Sequence, residues 1–367
     1  MGGAKEVPHD LVYQTLTWLP AKSLMRFKCV SKLWCSTISR DPLFAKAHHA
    51  RSRSRSRNCF LVAIPVFDLH SLCFFRSTLS DKTPLPLGRF CFPTCQDATE
   101  VVNGIVCFHG MNGLFVFNLS TREILKLPSA SHRCSLWLYD HNYDFGFDPI
   151  NKEYRLTWSY SPEHTDHKIL TLCSTGSTWR KNCDPWHPLS DISDGLWSSQ
   201  SVCVNGTLYW TKGSRYLIAL DLKNEKFRVT AQPPEALGLE GNLAQVGGRL
   251  LLAGLHRCGK LLMWTLDDEH HLWSTKSQID PPKYSFWPSI KWPMCHIFPV
   301  GSLPSGEIFF VIDDISEAHE EVLVYGMNTN RKWEWIELDS EILLKTNPNR
   351  RIRVSCHDEN IAPLTDL

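Results

Sequence analysis

The chain has 367 residues, with 39 Lys and Arg against 38 Asp and Glu and a formal charge of +1. At about 150 residues per domain this predicts two or three domains, or one large β domain, and 43% apolar residues exclude a chain dominated by disorder. No run approaches the ~20 apolar residues that span a bilayer.

The first ten residues lack an apolar signal core, which argues against secretion. The 14 cysteines are therefore expected as reduced, buried thiols and not as a disulfide framework. Cys91 and Cys95 have no second pair with which to build a zinc site. The glycosylation sequons at Asn118 and Asn205 lose their meaning for the same reason.

Charge is unevenly placed. Residues 1–57 hold 11 Lys/Arg and 3 Asp/Glu, a net of +8, so residues 58–367 hold 28 and 35, a net of −7. A small basic module is joined to a larger acidic one. The junction Arg51-Ser-Arg-Ser-Arg-Ser-Arg57 is polar and self-repelling, which predicts a linker over 51–58. Nuclear import, RNA contact or phosphorylation are its alternative uses. It lacks the interleaved aromatics of most RNA-binding surfaces.

Residues 1–50 read as helices. Pro8 and Asp10 open the first, with Leu11, Val12, Leu16 and Leu19 on one face. Pro20 ends it and opens a second, carrying Leu24, Phe27 and Val30. Ser31 caps a third, in which Trp34 and Ile38 stack four residues apart. Asp41-Pro42 starts a fourth. Four short helices in under 50 residues bury too little to stand comfortably alone. Such a unit needs a partner.

From residue 59 the period becomes that of strands. A turn glycine precedes an apolar run at Asn103-Gly104, Asn205-Gly206, Gly247-Gly248 and Ser305-Gly306. A second apolar run, a polar turn and a large apolar residue follow each time, the last being Ile124, Phe227, Trp273 and Trp333. The closing aromatics are expected to plug against a neighbouring sheet. A unit from Phe145 to Trp179 lacks the glycine, and another opens near Phe60. The divisions 59–100, 101–144, 145–200, 201–242, 243–296 and 297–338 make about six units of propeller-blade size. In the tail 339–367, Ile352-Arg-Val354 alternates as a strand able to close the ring.

The series Val7-Pro8-His-Asp-Leu11, Leu16-x-x-Leu19-Pro20, Ser23-Leu24, Phe27, Val30-Ser31-Lys32 and Trp34 resembles the F-box of plant F-box proteins. Val7 stands where that family usually has Leu, and Gln14-Thr15-Leu16 replaces an acidic-Ile-Leu triplet. Residues 59–338 resemble the F-box-associated and kelch-type repeat domains that follow plant F-boxes, although only the Gly247-Gly248 unit has the kelch glycine pair. The fold class expected is α+β by segment, a helical F-box followed by an all-β propeller.

No catalytic constellation has the required spacing. There is no nucleophile elbow, no phosphate-cradling loop and no His-Glu-x-x-His. His164-Thr-Asp-His167 and Asp267-Asp-Glu-His-His271 read as polar loops. No metal and no cofactor are expected.

The resemblance implies a non-catalytic adaptor of an SCF ubiquitin ligase. Val7, Pro8, Leu11, Leu16, Leu19, Pro20, Leu24, Val30 and Trp34 would dock a Skp1-like subunit, with cullin and RING subunits joined through it. The β domain would hold a protein substrate. Aromatic residues in the segments after each closing strand are the candidates: Trp137, Tyr139, Trp186, Trp197, Trp287 and Trp292, with Tyr143 beside the first pair. Nucleus or cytoplasm is the expected location, with no membrane partner. A nuclear RNA-associated scaffold using the Arg/Ser run is the alternative.

Overall fold

The computed structural model describes residues 8–55, 59–66, 71–78, 85–91, 95–110, 113–130, 141–160, 167–173, 176–182, 201–236, 239, 242–256, 259–267, 272–280, 295–314, 319–326, 333–336, 352–356 and 358–364. Four helices come first: α1 His9–Thr17, α2 Ala21–Phe27, α3 Lys32–Arg40 and α4 Pro42–Arg55. Their starts obey local chemistry. Pro8 and Pro20 precede α1 and α2. Ser31 Oγ accepts the Trp34 N–H at 3.1 Å. Asp41 Oδ1 accepts the Leu43 and Phe44 N–H groups at 2.9 and 3.2 Å. Leu16, Ala21, Leu24, Ile38, Phe44 and Ala45 form the buried centre of this unit.

The Arg/Ser run is not a linker over its whole length, because α4 continues through Arg55. The repulsion expected of it is offset. Arg51 lies 4.9 Å over the Trp18 ring, Arg53 is 3.8 Å from Asp358, and Arg55 is 3.1 Å from Glu359. Ser52 faces inward and is fully buried. The neutralising carboxylates come from the far end of the chain, so local composition gives no hint of them.

The strands follow in antiparallel sheets. β1 Cys59–Val66, β2 Ser71–Thr78 and β3 Leu85–Cys91 belong to the first. β4 Cys95–Ala98, β5 Ile105–Gly110, β6 Gly113–Asn118 and β7 Ile124–Leu127 make the second. The third holds β8 His141–Asp148, β9 Glu153–Tyr160, β10 His167–Thr171 and β11 Trp179–Lys181. β12 Val202–Val204, β13 Thr207–Lys212, β14 Tyr216–Asp221 and β15 Lys226–Ala231 form the fourth. The fifth has β16 Asn242–Val246, β17 Arg249–Leu255, β18 Leu261–Asp267 and β19 Leu272–Ile279. The sixth has β20 Cys295–Ser302, β21 Glu307–Asp314, β22 His319–Gly326 and β23 Trp333–Ile336. β24 Arg353–Cys356 returns to complete the first, whose order is β24-β1-β2-β3, with Val62 opposite Val354. Strands from the two ends of the propeller sequence thus share one sheet, and β24 covers the otherwise open edge of β1.

Buried clusters seal each junction between neighbouring sheets. Phe60 and Phe309, with ring centroids 4.6 Å apart, join the first sheet to the sixth. Phe74 and Val106, Val116 and Leu156, Ile169 and Leu220, Tyr209 and Leu252, and Met263 and Phe310 share buried clusters around the remaining circuit. The closing aromatics do plug across sheets. The indole N–H of Trp179 donates to Pro128 O at 2.7 Å, that of Trp273 to Ala231 O at 2.9 Å, and that of Trp333 to Asp280 O at 3.0 Å. Each acceptor lies at or just beyond the outer strand of the preceding sheet.

Two details differ from the sequence divisions. β4 pairs with β5 and belongs to the second sheet, although residues 95–98 fall in the predicted first unit. Its sequence, Cys-Gln-Asp-Ala, has no apolar alternation, so pairing and not pattern assigns it. Tyr143 lies on β8, not in a loop, and packs between His109 and Trp179. Among the described residues no helix is long and apolar enough to cross a membrane.

Candidate functional site

Strand direction sorts the connections onto two faces. Because strands alternate, the turns β4–β5 and β6–β7 emerge at one end of their sheet, and the links from one sheet to the next leave at the opposite end. Gly104, in the β4–β5 turn, and Ser120, in the β6–β7 turn, meet the C-terminal segment 358–364, and that segment meets the helices. The helical unit therefore sits over the first face. β7, β11, β15 and β19 end at the other face, where the predicted aromatic segments begin. Trp137, Tyr139, Trp186, Trp197, Trp287 and Trp292 themselves lie outside the described residues.

On the helical unit the structure divides the predicted docking residues. Pro8, Leu11, Pro20 and Val30 are exposed, Leu19 and Trp34 are half-buried, and Leu16 and Leu24 are buried in the unit's own centre. Trp34 packs edge-on against Phe27 at 5.6 Å. Val7 lies outside the described residues. Sequence reasoning missed three further exposed apolar side chains. Trp18 is 55% exposed, Leu33 54% and Leu43 71%, beside Leu11 at 55% and Val30 at 56%. A helix of this size gains nothing by itself from leaving such groups in water. Reading whole helical faces made Leu16 and Leu11 look equivalent, because periodicity cannot tell an internal neighbour from an absent one.

The contact between helices and propeller is made by the C-terminal segment, which sequence reasoning also missed. Glu359 is its hub. Its carboxylate accepts the Ala21 N–H at 3.2 Å and pairs with Arg55, its own N–H donates to Ser52 Oγ at 3.0 Å, and its carbonyl accepts from His49 Nδ1 at 3.2 Å. Ala21 opens α2, which has no side-chain cap of its own, so a carboxylate serves its exposed N–H and the positive end of the helix. His48 donates from Nε2 to Leu19 O at 2.9 Å. Burial holds its imidazole down at about 4, with Arg55 and His49 adding to the effect. The only signal in the sequence was Ile361 and Leu364, two apolar residues three apart in a polar tail.

The first strands of neighbouring sheets line the propeller axis. There the Glu100 carboxyl accepts from the Cys203 N–H, and Asp144 accepts from Ser201 and Trp210. Burial pushes Glu100 up to about 7 and raises Asp144, while Arg353 beside both works in the opposite direction. Each carboxylate already has protein donors, so the arrangement reads as an axial tie between the second, third and fourth sheets and β24. His167, of the predicted polar loop, begins β10 and is buried against Phe227 at 4.9 Å, which drives its pKa to about 3. Among the described residues no group of three or more His, Cys, Asp or Glu is placed to hold a metal ion.

Two family profiles agree with this architecture. The F-box domain profile matches residues 6–46, and that of the F-box associated beta propeller domain matches residues 66–343. F-box protein At4g19940 of Arabidopsis thaliana is 26% identical over 357 residues, covering 89% of this chain and 84% of its own. F-box protein At5g65850 of the same plant is 28% identical over 301 residues, covering 75% and 71%. Among solved structures, the WD40 domain of SCAP from fission yeast is similar over 83% of this chain and 72% of its own, at 12% identity and a TM-score of 0.41. Four helices carrying the F-box series, set on a β-propeller that its own C-terminus closes, place this chain among the plant F-box proteins with an F-box-associated propeller domain.

Proposed function

We propose that the protein is a substrate-recognition adaptor of an SCF-type ubiquitin ligase, acting in the nucleus or cytoplasm without catalytic chemistry of its own. The observation that carries this reading is the exposure of Leu11, Trp18, Val30, Leu33 and Leu43 on helices whose other large apolar residues are buried or half-buried. Such a surface suits a Skp1-like subunit, the partner that F-box domains take in these ligases. The surplus of positive charge in residues 1–57 suits an acidic partner and mainly speeds encounter. On the opposite face, aromatic segments between sheets would hold a target protein, and ubiquitin transfer would follow from raised effective concentration.

The RNA-scaffold alternative loses support, since Arg51, Arg53 and Arg55 are engaged within the chain. The test is co-purification of a plant Skp1-like subunit with the full chain and with a Pro8→Ala/Leu11→Ala variant. Both side chains are exposed, so the variant should keep its helices and melting behaviour while capture falls at least about tenfold. Undiminished capture would refute the docking surface as drawn.

A further inference from the structure

We propose that the C-terminal segment Asp358–Leu364 completes the F-box from within the chain, so that the docking helices become stable only once the propeller has closed. The segment alternates between its two neighbours. Ile361 is 1% exposed and packs among Leu16, Ala21, Leu24, Ile38 and Phe44. Leu364 is buried in the junction between the second and third sheets. Polar groups alternate in the same way. Asp358 and Glu359 serve Arg53, Arg55, Ala21 and Ser52 of the helices, whereas Asn360 donates from its N–H to Ser120 Oγ at 2.9 Å and from Nδ2 to Asn103 O at 3.2 Å. Asn118 Nδ2 donates to Ala362 O at 3.1 Å, and the Leu364 N–H donates to Glu123 Oε2 at 3.1 Å.

Three physical points turn these contacts into a dependence. A unit of under 50 residues has a marginal core, and one of its fully buried aliphatic residues is Ile361. The segment begins two residues after β24, so its path is set by the pairing of β24 with β1. At Gly104 the segment passes so close that a Cβ would stand 2.3 Å from Asp358 O, which leaves no slack for another route. The helices are made before Ile361, the residue that completes their core. Docking competence would then report that the propeller has been made and closed. The docking half of this inference rests on the adaptor reading; the folding half does not.

The test uses hydrogen exchange and Skp1-like capture on the full chain, an Ile361→Asp variant and a chain ending at Cys356. In both variants amides of α1 to α4 should exchange about a hundredfold faster or more, while β5, β13 and β21 keep their protection. Capture of a Skp1-like subunit should fall in parallel, and a synthetic peptide of residues 357–367 should restore both in the shortened chain. Helices as protected as in the full chain would overturn the proposal. So would fast-exchanging helices that capture the subunit undiminished, because the partner would then supply the missing core. If the full chain captures no Skp1-like subunit, the adaptor reading fails, and the exchange result alone decides whether the tail completes the helices.

Discussion

Around the propeller, every junction between sheets is sealed by side chains from both neighbours, so each sheet is held twice and the circuit has no end. The helical unit has one buried cluster, and Ile361 from the far terminus belongs to it. Redundant burial tolerates local loss; a single small cluster does not. The same contrast appears in the polar groups. Among the described residues, tryptophan N–H groups tie one sheet to the next at three places, whereas the hydrogen bonds between helices and the rest of the chain gather on one short segment centred on Glu359. Function would follow that division, with a rigid ring presenting a substrate face and a conditionally stable unit presenting a docking face.

The strongest way to break the comparison is inside the ring. Phe309 is fully buried at the junction where the first and sixth sheets meet, against Phe60. Phe309→Ala should cost about 3–5 kcal/mol and lower the main thermal transition by roughly 10 °C. If redundancy is real, exchange in β9 and β13, on the far side of the ring, should stay near that of the parent chain. Loss of protection throughout would show that the sheets stand or fall together.

Acid should load each region through its own buried histidine. His48 is buried and neutral, its pKa lowered from 6.5 to about 4. The unfolded chain binds that proton more readily, so the stability it supports is present above pH 6.5 and lost as pH falls from there toward 4. That loss should reach up to roughly 3 kcal/mol in the helices, while buried His167, held at about 3 on β10, puts a loss of the same sign on the ring. Asp358, which burial shifts upward, works in the opposite sense. A His48→Gln variant isolates the imidazole: its helices should show a flatter dependence between pH 6.5 and 4 by circular dichroism or exchange. An equally steep slope would assign the effect to another group.

The smallest expected effect sharpens the contrast at a single cap. Ser31→Ala removes the acceptor for the Trp34 N–H and should cost about 1 kcal/mol. In a marginal unit this should register as faster exchange in α3, with the propeller transition unmoved. No change in α3 would mean that the tail supports the helices more strongly than their caps do.

Much of this architecture was legible in the residues because it rests on short-range chemistry. Prolines 8 and 20, Ser31 and Asp41 placed the helix starts, since a cap acts within three residues of itself. Turn glycines and closing aromatics marked the repeats, and Trp273 and Trp333 do reach the neighbouring sheet. The candidate surface was legible only in part. Leu11 and Val30 stand exposed, but Leu16 and Leu24, equally apolar and equally well spaced, are spent on the unit's own core.

What the sequence by itself determined is therefore the kind of each element and its repeat, because propensity, capping and alternation act between near neighbours. Tertiary structure alone decided where the charged run 51–55 belongs, which sheet β4 joins, and that residues 358–364 bind helices made more than 300 positions earlier. Those outcomes depend on which distant groups arrive opposite one another. Arg55 beside Glu359 is helical and paired; the same arginine judged from its own neighbours is one more positive charge in a repelling run.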